Sequence, residues 1–238
     1  MLSFSTCWNN GRHTDGEAMI DEILDLGFRN IELSHGMTIA KLPGIRKAYQ
    51  AGKFTCSGVH NYFPSPVEVM IDAPDAYEYT SHRSFDRSRA LDMTLQTLEI
   101  AAEFRANYLV LHMGSVPLKP AKYTKRLTAM VADGKILDPD YNEAKINFIK
   151  KREKIAPLYY GRAIDALEQL VVKAEEYGII LRCRVEPVLQ HESCDALFGQ
   201  SIGCSPALVL QREHGESAAS SNDYRSAVGL TLAREDRS

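Results

Sequence analysis

The spacing of apolar residues changes repeatedly along the first 181 positions, and these changes predict alternating strands and helices. Short apolar runs at residues 2–7, 28–33, 54–60 and 107–112 are bounded by turn residues and predict strands. Helical spacing predicts helices between Asp15 and Gly27 and over residues 38–52, 84–104 and 141–177. Residues 179–181 open a fifth strand, so the predicted order is βαβαβαβαβ.

The run Tyr-Leu-Val-Leu at residues 108–111 is apolar on both faces, which is typical of a strand in a parallel α/β sheet. Such a sheet is either open and doubly wound or closed into a barrel. No Gly-x-Gly-x-x-Gly motif follows the first strand, and this argues against a dinucleotide-binding domain. Residues 61–82 contain three prolines and predict a long irregular loop.

The pattern becomes irregular after Leu181, and only residues 206–210 and 227–232 form short apolar runs. The 57 residues from 182 to 238 cannot hold three further βα units of the earlier length. We therefore predict an α/β fold, an incomplete TIM (β/α) barrel over residues 1–181, followed by an atypical tail of uncertain fold over residues 182–238.

Composition adds little to this picture. The chain has 238 residues, 45% hydrophobic and 25% charged, which are ordinary globular values, and its net charge of -3 makes nucleic acid an improbable partner. Five cysteines without paired spacing indicate reduced thiols, and no membrane or secretory segment is evident, so a cytoplasmic location is expected. The Lys- and Arg-rich runs at residues 119–126 and 150–152 are interpreted as solvated helix faces. A homo-oligomer is left open.

Polar residues follow three predicted strands at their carboxyl ends, where barrel enzymes place their reacting groups. His60 and His112 occupy corresponding strand ends, and rigid strands can hold imidazoles close enough to share a divalent metal or to act as bases. A hydrogen-bonded rim residue is the alternative for each histidine alone. The strand-end candidates are Glu32 and His35, then His60 and Asn61, then His112 and Ser115.

Three motifs occur in order on the second, third and fourth predicted strands. They are Gly-Phe-Arg-Asn-Ile-Glu-Leu (27–33), Gly-Val-His-Asn (58–61) and Leu-Val-Leu-His-Met-Gly-Ser (109–115). With these motifs the chain resembles the xylose isomerase-like TIM barrel superfamily, which includes sugar isomerases, sugar epimerases and endonuclease IV-like enzymes. The resemblance covers about residues 1–181. It implies that His60 and His112 are metal ligands, as in the endonuclease branch, or metal-site or substrate contacts, as in the isomerase branch. From the residues themselves, the substrate-binding candidates are His35, Asn61 and Ser115, with plain loop residues as the alternative interpretation.

The resemblance also implies a fifth-strand carboxylate that binds the metal and acts as a base. Glu186 is assigned to this role, as both catalytic residue and metal ligand, although it lies beyond the expected position; Glu32 is the second catalytic candidate. Codons for residues 182–186 can encode Gly-Val-Glu-Ser in another frame, and the hypothesis that follows is a frameshift near Leu181. The later ligands expected on strands six to eight have no counterpart in the sequence.

These residues imply a metal-dependent isomerase or epimerase acting on a small sugar, sugar acid or sugar phosphate, with Mn, Mg, Co or Zn as cofactor. The alternatives are a zinc-dependent phosphodiesterase of the AP endonuclease kind and a truncated, non-catalytic remnant. Metal content distinguishes the remnant from the enzymes, and cleavage at abasic sites distinguishes the two enzymes.

Overall fold

The computed structural model describes residues 2–68, 75–117, 120–184, 208–212 and 230–233. Its helices are α1 to α5, with short 3-10 turns at Thr6–Trp8 and Ile39–Lys41. Their bounds are Gly16–Asp25, Leu42–Gln50, Ser84–Glu103, Pro120–Ala132 and Pro139–Tyr177. The strands β1 to β7 span Phe4–Ser5, Asn30–Leu33, Thr55–His60, Tyr108–His112, Ile180–Arg184, Leu208–Arg212 and Leu230–Ala233.

The strands form one sheet in the order in which they occur along the chain. β1 to β5 pair in parallel, and β6 and β7 continue the sheet with antiparallel pairing. The predicted α/β class with about five recognisable barrel strands is confirmed. Within the described residues β1 and β7 remain at opposite ends of the sheet, so the barrel is incomplete, as expected.

The helix ends lie where the sequence signals place them. Asp15 caps α1 because its Oδ1 accepts a hydrogen bond of 2.8 Å from the Ala18 amide. Gly178 ends α5 with a φ of 66°, in the left-handed region that favours glycine. Pro43 lies in the first turn of α2, and Pro157 lies inside α5.

Two features differ from the simple pattern. Residues 120–132 form α4, a separate helix in what reads in the sequence as a polar connection. β5 continues to Arg184, pairing there with His112, so parallel pairing extends three residues beyond the point where the sequence pattern changes. The backbone hydrogen bonds between β5 and β4 depend little on side-chain type, and this explains why β5 continues where its side chains are no longer apolar.

The core lies between the sheet and the helices that cover its outer face. Fully buried apolar side chains come from α1, β2, α3, β4 and α5, including Ile20, Ile31, Leu98, Leu109 and Leu170. The other face of the sheet carries polar side chains and is described below. None of the helices in the described ranges has the length and apolarity that a membrane span requires.

Candidate functional site

Two histidines meet at the carboxyl ends of neighbouring parallel strands. His60 is the last residue of β3 and His112 the last residue of β4. In the strand register His60 pairs with Val110, yet the two imidazoles converge, with 2.7 Å between their Nε2 atoms. His112 is 7% exposed, so its ring is held in a nearly dry environment.

Asp75 lies behind His112. Its Oδ1 is 2.8 Å from His112 Nδ1, and the carboxylate is half-exposed. This contact favours the tautomer that carries its proton on Nδ1, so His112 Nε2 presents a lone pair toward His60. A carboxylate that orients the far nitrogen of a histidine is a common arrangement around metal-binding imidazoles.

His35 follows β2 and completes a group of three imidazoles. Its ring centroid lies 4.8 Å from that of His60 and 6.2 Å from that of His112, both in edge-to-face orientation. The carbonyl of His35 accepts a hydrogen bond of 3.0 Å from Asn10 Nδ2, which fixes the backbone at this strand end. The structure therefore brings all three predicted histidines together.

Glu32 lies deeper in the sheet than the histidines, level with Gly58, which in turn pairs with Tyr108. Its two carboxylate oxygens accept hydrogen bonds from Ser5 Oγ at 3.0 Å and Tyr108 OH at 2.9 Å. Burial, followed by the charge of Glu32, raises the pKa of Tyr108 to about 12. Tyr108 is thus a neutral donor at physiological pH and orders the Glu32 carboxylate.

The Arg182 guanidinium stacks over the Tyr108 ring, with its carbon 4.1 Å from the ring centroid. Its Nε is buried and has no hydrogen-bond partner among the described residues. Ser3 and Ser57 hydrogen bond to each other through their hydroxyls at 2.6 Å. Together with Glu32, these side chains form a polar layer below the histidines.

Asn61 follows His60 and is only 2% exposed. Its Nδ2 donates to Tyr79 OH at 3.2 Å and to Thr94 Oγ1 at 2.8 Å. The Tyr79 and Thr94 hydroxyls also hydrogen bond to each other. In this structure Asn61 is part of a buried polar network between the loop and α3, and its predicted contact with substrate stays a prediction.

Ser115 lies after β4, where Gly114 adopts a φ of 90°. Its amide donates to Thr80 Oγ1 at 3.1 Å, and its hydroxyl donates to the Glu78 carboxylate at 3.1 Å. A Cβ at Gly114 would lie 2.4 Å from Thr80 Oγ1, so this close approach requires glycine. Ser115 is therefore tied to the loop that also carries Asp75.

Helix α5 holds this loop in place. Arg162 Nη1 donates to the carbonyls of Thr80 at 3.0 Å and Ser81 at 3.1 Å. The Tyr159 hydroxyl lies 2.7 Å from His82 Nε2. A long helix, anchored at β5 by its C-terminal turn, thus positions the loop residues that face the histidines.

The donor set is compatible with a divalent metal. His60 and His112 would hold such an ion through their Nε2 atoms. In this structure these atoms, 2.7 Å apart, are at N–H···N hydrogen-bond distance, so they would separate slightly to bind one ion. In the described part of the chain, no group of three or more His, Cys, Asp or Glu side chains is arranged for a metal. Glu186, the third predicted ligand, lies outside the described residues.

Sequence reasoning missed Asp75 and Tyr108. Asp75 lies in the long proline-containing loop, and no local pattern indicates that it turns back to His112. Tyr108 reads as an apolar strand residue, although a tyrosine facing a strand glutamate is a signal that could have indicated the pair.

Comparison with known proteins gives a fold likeness only. No protein-family model and no curated protein matches the chain. Similar solved structures include a D-tagatose 3-epimerase-like protein (14% identity, TM-score 0.47, covering 76% of this chain and 51% of that one). A putative xylose isomerase from Rhodospirillum rubrum has 15% identity and a TM-score of 0.48, with 78% of this chain and 53% of that one covered.

A 3-keto-D-glucoside 4-epimerase from E. coli is also similar, with 12% identity, a TM-score of 0.46, and coverage of 76% of this chain and 54% of that one. By name these proteins are isomerases and epimerases, the groups that the strand motifs resemble. The chain spans about half the length of each. With every TM-score below 0.5, these likenesses carry no information about the reaction of this chain.

Proposed function

We propose that this chain carries the metal- and substrate-binding part of a sugar isomerase or epimerase. The observation that carries the proposal is the 2.7 Å approach of His60 Nε2 and His112 Nε2, with Asp75 behind His112. Rigid strand ends hold the two imidazoles close enough to bind a cation beside a sugar once the proton between their Nε2 atoms has left.

His60 and His112 would hold the divalent metal, Mn, Mg, Co or Zn. When bound, this metal supplies Lewis-acid polarisation of substrate oxygens. The His112 tautomer favoured by Asp75 leaves its Nε2 an acceptor, so His60 Nε2 carries the proton of the 2.7 Å contact. For both histidines to offer lone pairs, the His60 proton must leave Nε2.

The remaining residues would bind and orient the sugar. Glu32, ordered by Ser5 and Tyr108, offers a fixed carboxylate below the histidines for substrate hydroxyls. His35, beside His60, is suited to hydrogen bond to a sugar oxygen. Glu186 is the proposed base that moves the proton next to the carbonyl, and both its position and its role remain predictions.

The test is hydrogen exchange at a sugar carbon. The chain is incubated with Mn, Mg, Co or Zn and a panel of aldoses, ketoses and their phosphates in deuterated water, and NMR follows deuterium incorporation and product formation. Proton transfer beside a carbonyl predicts metal-dependent deuterium uptake by one sugar class.

A double variant, His60→Ala with His112→Ala, is expected to abolish this uptake. His13→Ala is the matched control, because His13 contacts Glu22 of α1 and is not part of the histidine group or of the loop that carries Asp75. Uptake that persists in the double variant, or no uptake from any sugar with any metal, would refute the proposed activity.

A further inference from the structure

A cavity of about 340 Å³ lies between α4 and α5, in a part of the molecule that the proposed reaction does not use. The two basic runs that read as solvated helix faces in the sequence meet around it. Its polar lining consists of Tyr123, Arg126, Asn147, Lys150, Lys151 and Lys154. Four of these six side chains are cations, and none of the described lining residues is an acid.

The spacing on α5 is informative. Positions 147, 150, 151 and 154 form one stripe of the helix, the pattern by which a helix normally presents apolar residues to its neighbour. Here the stripe that faces the cavity consists of an asparagine and three lysines. All four side chains are exposed, which accounts for their polar character, whereas like charges one turn apart repel each other and favour an anion between them.

One of the four cations, Lys151, already has an aromatic partner. The Lys151 ammonium lies 4.3 Å from the centroid of the Tyr123 ring and also contacts its hydroxyl. No carboxylate of the described residues lies within 4.0 Å of Arg126, Lys150 or Lys154 in an ion pair. Among the described residues, therefore, these three cations surround one cavity without a carboxylate partner.

We infer that the cavity between α4 and α5 binds a small molecule that carries phosphate groups. A concave site lined by one sign of charge concentrates anions, and Lys and Arg are the usual partners of phosphate oxygens. The volume lies in the range of small-ligand sites, roughly 300–1,000 Å³. An open pocket of this size between two helices, in a chain of net charge -3, fits a compact ligand better than a nucleic-acid strand.

The cavity lies near the loop that faces the histidines. From Lys154 to Tyr159, which contacts His82, α5 advances about 7.5 Å at about 1.5 Å per residue. The phosphate site is nevertheless distinct from the histidine group, since its lining residues lie on α4 and α5, whereas the histidines lie at the ends of β2, β3 and β4. The inference does not depend on the proposed isomerase activity.

The test is calorimetric titration of the full chain with pyrophosphate, at constant ionic strength and with EDTA present. We expect saturable binding at one site per chain. Replacing one cation on each helix, Arg126→Gln with Lys150→Gln, should weaken binding about tenfold or more. The matched control, Lys125→Gln with Lys145→Gln, removes equal charge from exposed positions of the same helices outside the cavity and should change affinity less than about twofold.

A second pair of variants covers the case in which the first double variant does not fold. Asn147→Glu places an acid in the cavity and should also weaken binding, whereas Asn142→Glu, exposed on the same helix, should not. The His60→Ala, His112→Ala variant should bind pyrophosphate as the parent does. Three results would overturn the inference. The cavity and control variants could weaken pyrophosphate binding equally, or the histidine variant could lose binding. The third is that the chain binds a single-stranded oligonucleotide but not pyrophosphate.

Discussion

At the scale of single residues, the site depends on pairs in which one side chain fixes another. Asp75 holds His112, Tyr108 holds Glu32, and Asn61 is held by Tyr79 and Thr94. In each case the fixed group is one that the strand-end pattern indicates, and the fixing group comes from elsewhere in the chain. The reactive side chains at the strand ends can therefore be predicted from the sequence, whereas the side chains that fix them depend on tertiary structure.

Asp75→Asn tests the first of these pairs. An amide is a weaker acceptor than a carboxylate, so the His112 ring should lose orientation and basicity. We expect metal affinity to fall about 10- to 100-fold, measured by competition with a chelator. Asp92→Asn, at an exposed position of α3, is the control and should leave the affinity unchanged. Equal affinities for the Asp75 variant and the parent protein would show that Asp75 does not support the site.

Glu22 gives a prediction about pH. Its hydrogen bond with His13, then those with Asn9 and Arg12, lower the pKa of this carboxyl from about 4.5 to about 2. A lowered folded-state pKa stabilises the protein above the unfolded-state value, and the stabilisation is lost as pH falls through the folded-state pKa. Glu22→Gln should therefore lower the free energy of unfolding at neutral pH.

The difference between parent and Glu22→Gln should shrink as pH falls from about 4.5 toward 2. Urea unfolding across this range measures it. Glu99→Gln, at an exposed position of α3, should show no such dependence. A Glu22→Gln effect that stays constant down to pH 2 would contradict the assignment.

At the scale of secondary structure, local sequence signals predict most of the strands and helices in residues 1–181. Asp15, Gly27 and Gly178 mark helix ends because capping chemistry acts within one turn, and the structure confirms all three. For α4 the sequence indicates a solvated helix face at residues 119–126 but no helix bounds. Its apolar residues nevertheless recur at helical spacing, at Tyr123, Leu127, Met130 and Val131. The convergence of His60 and His112 follows from the meeting of parallel strand ends, whereas the return of residue 75 to His112 depends on a loop path that no local rule specifies.

The packing of β3 against β4 gives a prediction about stability. A Cβ at Gly58 would lie 2.2 Å from the Tyr108 ring, so Gly58→Ala must displace the ring and disturb its contacts with Glu32 and Arg182. We expect a loss of about 1–3 kcal/mol in the free energy of unfolding. Urea denaturation of the purified variant measures this loss.

Gly161→Ala is the matched control for Gly58→Ala. Gly161 lies inside α5, and no described atom lies within 4 Å of a Cβ added there. Alanine should stabilise this helix position by about 0.5–1 kcal/mol, because glycine loses more backbone freedom on folding. If both alanine variants change stability alike, the tight contact between Gly58 and Tyr108 does not exist.

At the scale of the whole molecule, the described residues form the first five strands of a parallel barrel, followed by two antiparallel strands at the β5 edge. The histidine group lies at the carboxyl ends of the parallel strands, where a barrel would place its reacting groups. The predicted division of the chain near residue 181 and the role of Glu186 remain predictions, because residues 185–207 lie outside the described part of the chain.

Elemental analysis of the purified chain tests the central claim, that His60 and His112 form a metal site. The chain is loaded with Mn, Mg, Co or Zn, freed of excess metal, and compared with the His60→Ala, His112→Ala double variant and with His13→Ala. We predict close to one metal per chain in the parent and in His13→Ala, and none in the double variant. A parent chain that retains no metal, or a double variant that retains as much as the parent, would contradict the account.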